Sequence, residues 1–380
     1  MSTDLDIGRL TPADEALNHQ IADTFATVAE SERGWTEKIW ASIARKDGGL
    51  QIDFGLGKYL NRNVMDGFAG VSRGREQWTV RASRVLEPAL DETAVGSIRY
   101  EVIEPLKQVR FVLEPSPTQP IAFDIVFHAE MPAFFEKRNR MRTGNRIRND
   151  VVRYHQGGHV TGWLEVAGER HTLGDDWFAF RDHSWGTRGD NVGFLPPDVQ
   201  PRSSASRMRL LWGAYELSRP DGSRYGISAY FSSNEHWDYF SGQVNEADGT
   251  QHIILRIVPE VRLDPTTRHF LGGHYSMLMA SGETRHLVLE GLGETGFYLR
   301  TGLYGEWAGA RWGSWRGGDH QEGEYIADCT SRLHDLGHLR DKPVRLREGD
   351  AQGWGIQESI YAGLFPELGL GAESNFPLQL

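Results

Sequence analysis

The residues best equipped for chemistry crowd into one stretch, Trp177-Phe178-Ala179-Phe180-Arg181-Asp182-His183-Ser184-Trp185-Gly186-Thr187-Arg188. Asp, His and Ser are the members of a nucleophilic triad, but here they are consecutive. Neighbours on an extended strand point to opposite faces, so Asp182 and Ser184 share one side while Arg181, His183 and Trp185 share the other. The chain also lacks a G-x-S-x-G elbow, which argues against a serine hydrolase. The bland reading is a structural corner in which Asp182 accepts backbone N–H groups and pairs with Arg181 or Arg188. The chemical reading is acid–base. A carboxyl among Trp177, Phe180 and Trp185 has its pKa raised and can stay protonated near neutral pH. Such an acid can protonate carbon, and aromatic faces can stabilise the resulting cation. His183 could move a proton to or from a hydroxyl or carbonyl. Asp182 and His183 are therefore the candidate catalytic pair.

A second cluster, Tyr154-His155-Gln156-Gly157-Gly158-His159, lies about 30 residues upstream, and adjacent strands would bring the two together. A bulge or corner near Gly186 would turn Asp182 and His183 toward one ligand cavity with Tyr154, His155 and Trp185, despite strand parity. Tyr154, His155, Trp177 and Trp185 are the candidate substrate-binding residues. The two histidines lack the spacing of a zinc pair, and no third ligand accompanies them, so no metal is expected. Near the end, Gln357-Glu358-Ser359-Ile360-Tyr361 could place Glu358 in a cavity as a further substrate contact. An exposed edge strand with a solvated Glu358 is the simpler reading. Trp307, Trp312 and Trp315 among glycines suit packing and turns, and with no P-loop or G-x-G-x-x-G run, no nucleotide or other cofactor is expected.

These residues sit in a chain patterned for strands. In Gln77 to Val85, Trp78, Val80 and Ala82 alternate with Gln77, Thr79 and Arg81, the period of a half-buried strand. Ile98 to Val102, Val109 to Leu113, Ile121 to Phe127, Val151 to Tyr154 and His159 to Val166 continue the style. Later, Leu210 to Leu217 and Tyr225 to Phe231 flank the turn Arg219-Pro220-Asp221-Gly222. Strands divided by turn residues, without strand–helix alternation, argue for barrels or sandwiches. One helix is expected within Thr11 to Arg33. Thr11 caps it, Pro12 suits its first position, and Leu17, Ile21, Phe25 and Val28 form one apolar stripe. Pro196-Pro197, Pro201 and Ser203 to Ser206 break all periodicity. The expected division is a helical segment over 1–34, a β unit over 35–195, a linker over 196–206 and a second β unit over 207–380.

Composition narrows the partners. The net charge of −11 gives no field favouring nucleic acid. The arginine-rich stretch Lys137 to Arg153 reads as a solvated loop. No apolar run is long enough for a membrane helix, and Met1 to Arg9 has neither the basic nor the apolar region of a signal peptide. Cys329 is the only cysteine, which excludes intrachain disulfides and suits a reducing, cytoplasmic setting. A homodimer is left open.

The run Arg181-Asp182-His183-Ser184-Trp185-Gly186 resembles the hydroxyneurosporene synthase (carotenoid 1,2-hydratase) and AttH-like superfamily. Arg153-Tyr154-His155-Gln156 and Gly162-Trp163-Leu164-Glu165-Val166 carry the same resemblance. Asn61, Asp66-Gly67-Phe68 and Val80-Arg81 extend it over roughly residues 35 to 360, closest to an uncharacterised branch. The resemblance implies an all-β, mainly antiparallel fold of two tandem lipocalin-like (calycin) barrels, with ligand cavities near their junction. It implies hydration, dehydration, isomerisation or cyclisation of an apolar terpenoid, steroid-like or aromatic molecule without a cofactor. A non-catalytic carrier or sensor of such a ligand is the alternative.

Overall fold

The structure, a computed structural model, describes residues 10–15, 19, 22–143, 145–189, 191–200, 206–235 and 238–376. Strand accounts for 59% of it and helix for 6%, and every strand pairing is antiparallel. The first sheet runs through β1 (Trp35–Arg45), β2 (Gln51–Tyr59), β3 (Val64–Arg73), β4 (Glu76–Val85), β5 (Ala94–Val95), β6 (Ile98–Glu104) and β7 (Gln108–Leu113). It continues through β8 (Ile121–Ala129), β9 (Phe134–Phe135), β10 (Asn139–Thr143), β11 (Arg146–Val166), β12 (Glu169–Leu173) and β13 (Trp177–Thr187). Then come β14 (Met208–Ser218), β15 (Arg224–Asn234), β16 (Asp238–Glu246), β17 (Gln251–Leu263), β18 (Phe270–Met279), β19 (Thr284–Gly291) and β20 (Phe297–Tyr298). The last three are β21 (Asp319–Ile326), β22 (Arg340–Glu348) and β23 (Ala351–Ala362).

The first sheet curls into a half-barrel with β13 inserted between β1 and β11. In the second, β19 pairs with β22 and closes β14 to β19, β22 and β23 into an eight-stranded barrel. One strand breaks the sequential order: β21, from the second half of the chain, pairs with β4 along the edge of the first sheet.

Alternation along β1 and β2 sends Ile39, Ala41, Ile43, Ile52, Phe54 and Leu56 into the first barrel's core. Their neighbours on the opposite face are buried too. Trp40, Ala44, Phe68, Phe178 and Phe180 pack against Met208, Leu210, Trp212, Ala214, Ile356 and Ile360 of the second barrel. These strands are therefore covered on both faces, and their polar residues have no bulk water to face.

Several expectations need correction. The Thr11 to Arg33 helix reduces, among the described residues, to one 3-10 turn at Pro12–Glu15. Asp14 accepts the Thr11 N–H at 2.6 Å, so the capping spacing is used, but residues 22–34 run as turns, bends and extended chain. Leu17 and Ile21 of the apolar stripe lie outside the described residues. The arginine-rich stretch is the β10–β11 hairpin rather than a loop, its charges held partly by Arg138–Asp150 at 2.5 Å. Gln156-Gly157-Gly158 separates no strands, since β11 runs through it. Those glycines mark close approach: a Cβ on Gly158 would stand 2.1 Å from the His128 carbonyl oxygen, and one on Gly157 2.5 Å from Glu216 Oε2.

Candidate active site between the barrels

Cross-strand register builds the first wall of the site. Phe68, Gly55, Trp40, Asp182 and His155 form one row across β3, β2, β1, β13 and β11. Asp66, Gly57, Lys38, Ser184 and Arg153 form the next. Gly70, Asp53, Ser42, Phe180 and Gly157 form a third. The second barrel opposes them with Asp341, Glu358, Trp212 and Tyr230, a row across β22, β23, β14 and β15. Between these walls, Arg153, Tyr230, Tyr304 and Glu358 keep some accessible surface, whereas Asp53, Trp40 and Trp212 keep almost none.

Two tryptophans bind the walls together. Trp40 of the first barrel donates Nε1–H to Asp341 Oδ2 of the second at 3.0 Å. Trp212 of the second donates to Glu136 Oε1 of the first at 2.8 Å. The two indoles meet edge to face with centroids 5.3 Å apart. The carboxylates at the two ends then differ sharply. Glu136 has His155 Nε2 at 2.7 Å and Arg153 Nη1 at 3.4 Å in addition to Trp212. Burial alone would push its carboxyl up, but His155, Arg153 and the indole N–H bring it down to about 2.

At the other end, Asp53, Asp341 and Glu358 stand together with few donors. Asp341 contacts both Asp53 and Glu358, and burial raises all three carboxyls, Asp53 to about 7 and the other two well above their ordinary values. Ser42 and Gln51 beside Asp53, and the Trp40 N–H on Asp341, pull the other way but do not offset the burial. Carboxyl groups in contact can hydrogen-bond to one another only when at least one carries a proton, so this cluster stores acid. Glu358 is its member that keeps some accessible surface.

Cations occupy the adjoining corner. Arg153 Nε lies 3.1 Å from Asp182 Oδ2, within ion-pair distance. Arg188 donates to Ser184 Oγ at 2.9 Å and to Thr36 Oγ1. Lys38 is buried with its ammonium 3.1 Å from the centroid of Trp312 and 4.6 Å from that of Tyr304. Burial and the neighbouring Arg188 and Arg153 depress its pKa well below the usual value, against the pull of Asp66 and Asp182. The corner can thus hold an anion or a developing negative oxygen beside a stored proton, the arrangement acid–base chemistry needs.

The residues singled out from sequence divide between two faces. Asp182, His155 and Glu358 face the space between the barrels. Tyr154, His183 and Trp185 turn the opposite way, where His183 Nε2 meets Glu37 Oε1 at 2.8 Å and its Nδ1 lies 3.3 Å from Tyr154 Oη. Trp177 is buried in the first barrel's core. The expected corner does not form: β13 pairs with β1 and β11 in unbroken register, so nothing rotates Asp182 and His183 to one side. Nor does Asp182 pair with Arg181, which binds Gln156 Oε1 at 2.5 Å and 3.0 Å. Glu358 is not on an edge, because β23 lies between β14 and β22. Asp53, Asp341, Glu136, Trp40, Trp212, Arg153 and Lys38 escaped the sequence reading. For the charged ones the signal was an isolated charge among apolar strand residues, as in Ile52-Asp53-Phe54, which a solvent-facing side chain gives equally well, and the two tryptophans read as ordinary core residues.

Among the described residues, no group of three or more His, Cys, Asp or Glu is arranged to hold a metal ion, and no helix is long and apolar enough to cross a membrane. The fold is that of AttH-like tandem lipocalin-like proteins. A putative AttH from Nitrosomonas europaea (NE1406) is similar with a TM-score of 0.52 at 11% identity, over 86% of this chain and 91% of that one. Kievitone hydratase from Nectria haematococca gives a TM-score of 0.41 at 12% identity, over 89% and 93% of the two chains. CghA with Sch210972 gives 0.49 at 11% identity, over 86% and 88%. At these identities the likeness is one of fold. No curated protein matches the chain in sequence. Residues 10–371 match the model of a family of unknown function (DUF8625), and the chain belongs to that family.

Proposed function

We propose that this protein is a cofactor-independent enzyme of the hydratase, dehydratase, isomerase or cyclase type, moving protons on an apolar terpenoid, steroid-like or aromatic molecule between its two barrels. One observation supports the reading: three buried carboxyl groups, Asp341 in contact with both Asp53 and Glu358, stand where aromatic side chains of the two barrels meet. Glu358 acts as the acid, and Asp341 and Asp53 behind it hold the proton against loss to solvent. Protonation of a carbon–carbon double bond by Glu358 leaves a cation, which Tyr230 and Tyr304, the aromatic residues there that keep accessible surface, face. Water then adds at the cation and returns its proton to a carboxylate, or a neighbouring C–H gives up its proton and the double bond moves. Asp182, paired with Arg153 at 3.1 Å, is placed to receive that proton. His183 lies on the far face and takes no part.

A carrier of the same ligand is the second reading, since lipocalin-like barrels suit both roles. A lumenal carrier needs a hollow barrel, however, and the space among Leu211, Tyr215, Ala229 and Tyr275 in the second barrel measures 10 Å³, room for one water at most. The two readings part in one experiment. The protein is incubated with a lipophilic extract of its own host in D₂O, and products are sought that carry deuterium on carbon. Wild type should generate such a product, and Glu358→Gln should lower its rate by about 100- to 10,000-fold, the range of a lost general acid. A molecule bound by both proteins and released unlabelled would establish the carrier.

A further inference from the structure

β22 sends its side chains to two places. Asp341 faces the space between the barrels, whereas Arg340 and Lys342 turn away into a separate cleft of 180 Å³. Gly74 and Arg75 of the β3–β4 turn, the segment Gly291–Gly296 after β19, His269, Tyr298 and Thr330 wall this cleft. Arg340 is 7% exposed and Lys342 3%. Among the described residues neither has a carboxylate within ion-pair distance. Glu294, which also lines the cleft, is held by Arg75, with Nη2 at 2.8 Å and Nε at 3.2 Å from its carboxylate. Asp264, on another wall, accepts the backbone N–H groups of Thr266 at 2.9 Å and Thr267 at 2.8 Å.

Of these two buried groups only Arg340 keeps an open donor, and burial beside Arg340 pushes the Lys342 amine down to about 6. Lys342 gives its three protons to the carbonyls of Leu292, Gly293 and Thr295, at 2.7 Å, 2.7 Å and 2.8 Å. Arg340 donates Nη2–H to the Glu294 carbonyl, and its buried Nε–H has no partner. Burial, together with these same cations, pushes the neighbouring His269 imidazole down to about 2, so it adds no charge of its own. A buried guanidinium without a counter-charge is unfavourable, and its fork is matched by a carboxylate or phosphate.

We propose that this cleft binds a compact molecule through a carboxylate or phosphate group, with Arg340 as the main ligand and Lys342 and Arg75 beside it. The site is distinct from the space between the barrels and joined to it through β22, one residue from Asp341. The chain's net charge of −11 repels anions elsewhere, so a saturable response reports a specific site. The test titrates the full chain with inorganic phosphate, acetate or succinate against chloride at matched ionic strength, reading melting temperature and binding heat. Saturable binding of phosphate alone assigns a phosphoryl group, and saturable binding of the carboxylates alone assigns a carboxylate. Binding of both kinds supports the shared oxyanion chemistry. Arg340→Gln should weaken binding at least about tenfold, the loss of a charge-assisted contact. Arg75→Glu, at the exposed rim, keeps the test open should Arg340→Gln fail to fold, and should weaken binding as well. No saturable response to any of the three anions in wild type, or an unchanged response in both variants, would overturn the proposal.

Discussion

Glu358 and Asp182 are both carboxyl groups in one chamber, and they differ in what stands nearest. Asp182 has a guanidinium at 3.1 Å, whereas Glu358 has other carboxyls. That difference sorts base from acid without reference to any substrate. It also makes stability depend on pH in a definite direction. Asp53, raised by burial to about 7, binds its proton more tightly in the folded chain than in the unfolded one. Its contribution is fully present below the unfolded value near pH 4 and is lost as pH rises through about 7. Asp53→Asn mimics the protonated form at every pH. The variant should therefore lose less stability than wild type between pH 5 and pH 8, by on the order of a few kcal/mol, in denaturant melts at the two pH values. Parallel declines would mean that Asp53 is ionised throughout. None of this was legible from residue types alone. In Gln51-Ile52-Asp53-Phe54 the charge sits where a solvated side chain would, and only the second barrel, far along the chain, takes the water away.

At the scale of elements, the first strand of each barrel carries the tryptophan that reaches into the other. Trp212 on β14 gives its N–H to Glu136, a charged and nearly inaccessible acceptor. Trp212→Phe keeps much of the packing and removes the donor. The expected cost is roughly 1–3 kcal/mol in a denaturant melt, more than a surface substitution and less than collapse of the interface. A change within error would show that His155 and Arg153 satisfy Glu136 without it. Strand existence and turn chemistry were readable because alternation and turn residues are local signals. In the Arg219-Pro220-Asp221-Gly222 turn, Asp221 accepts from Ser223 N at 2.9 Å and Gly222 adopts a φ of +85°. Parity on β13 was readable as well, and it correctly separated Asp182 from His183; the expected corner that would have reunited them had no local support. The helix expected after Thr11 failed because its stripe is not a packing face where it is described: Phe25 is 42% exposed, and residues 22–34 form turns and bends.

For the molecule as a whole, β21 matters most. Drawn from the second half of the chain, it completes the first sheet through β4, and Glu322 on it holds Arg81 at 2.8 Å. A fragment of residues 35–195 lacks this strand and exposes the apolar face around Trp40 and Phe180. A fragment of 207–380 leaves β21 without a partner and exposes Trp212 and Ile356. Neither fragment should show a cooperative thermal transition, while the full chain should melt in one. A fragment that melts cooperatively near the temperature of the full chain would make the barrels independent and weaken the case for a site that both must build. The pairing of β21 with β4 could not be read from sequence, because a strand's pattern states which face is apolar and not which neighbour it joins.

The claim beneath all of this is that the cluster of Asp53, Asp341 and Glu358 keeps a proton at neutral pH. Infrared difference spectroscopy of the purified protein reads that directly, through the carbonyl stretch of a protonated carboxylic acid and its shift in D₂O. The account calls for such a band at pH 7, altered in Glu358→Gln and in Asp341→Asn and unchanged in Asp182→Asn. Absence of any protonated carboxyl at pH 7, or a band that survives in both cluster variants, would contradict it.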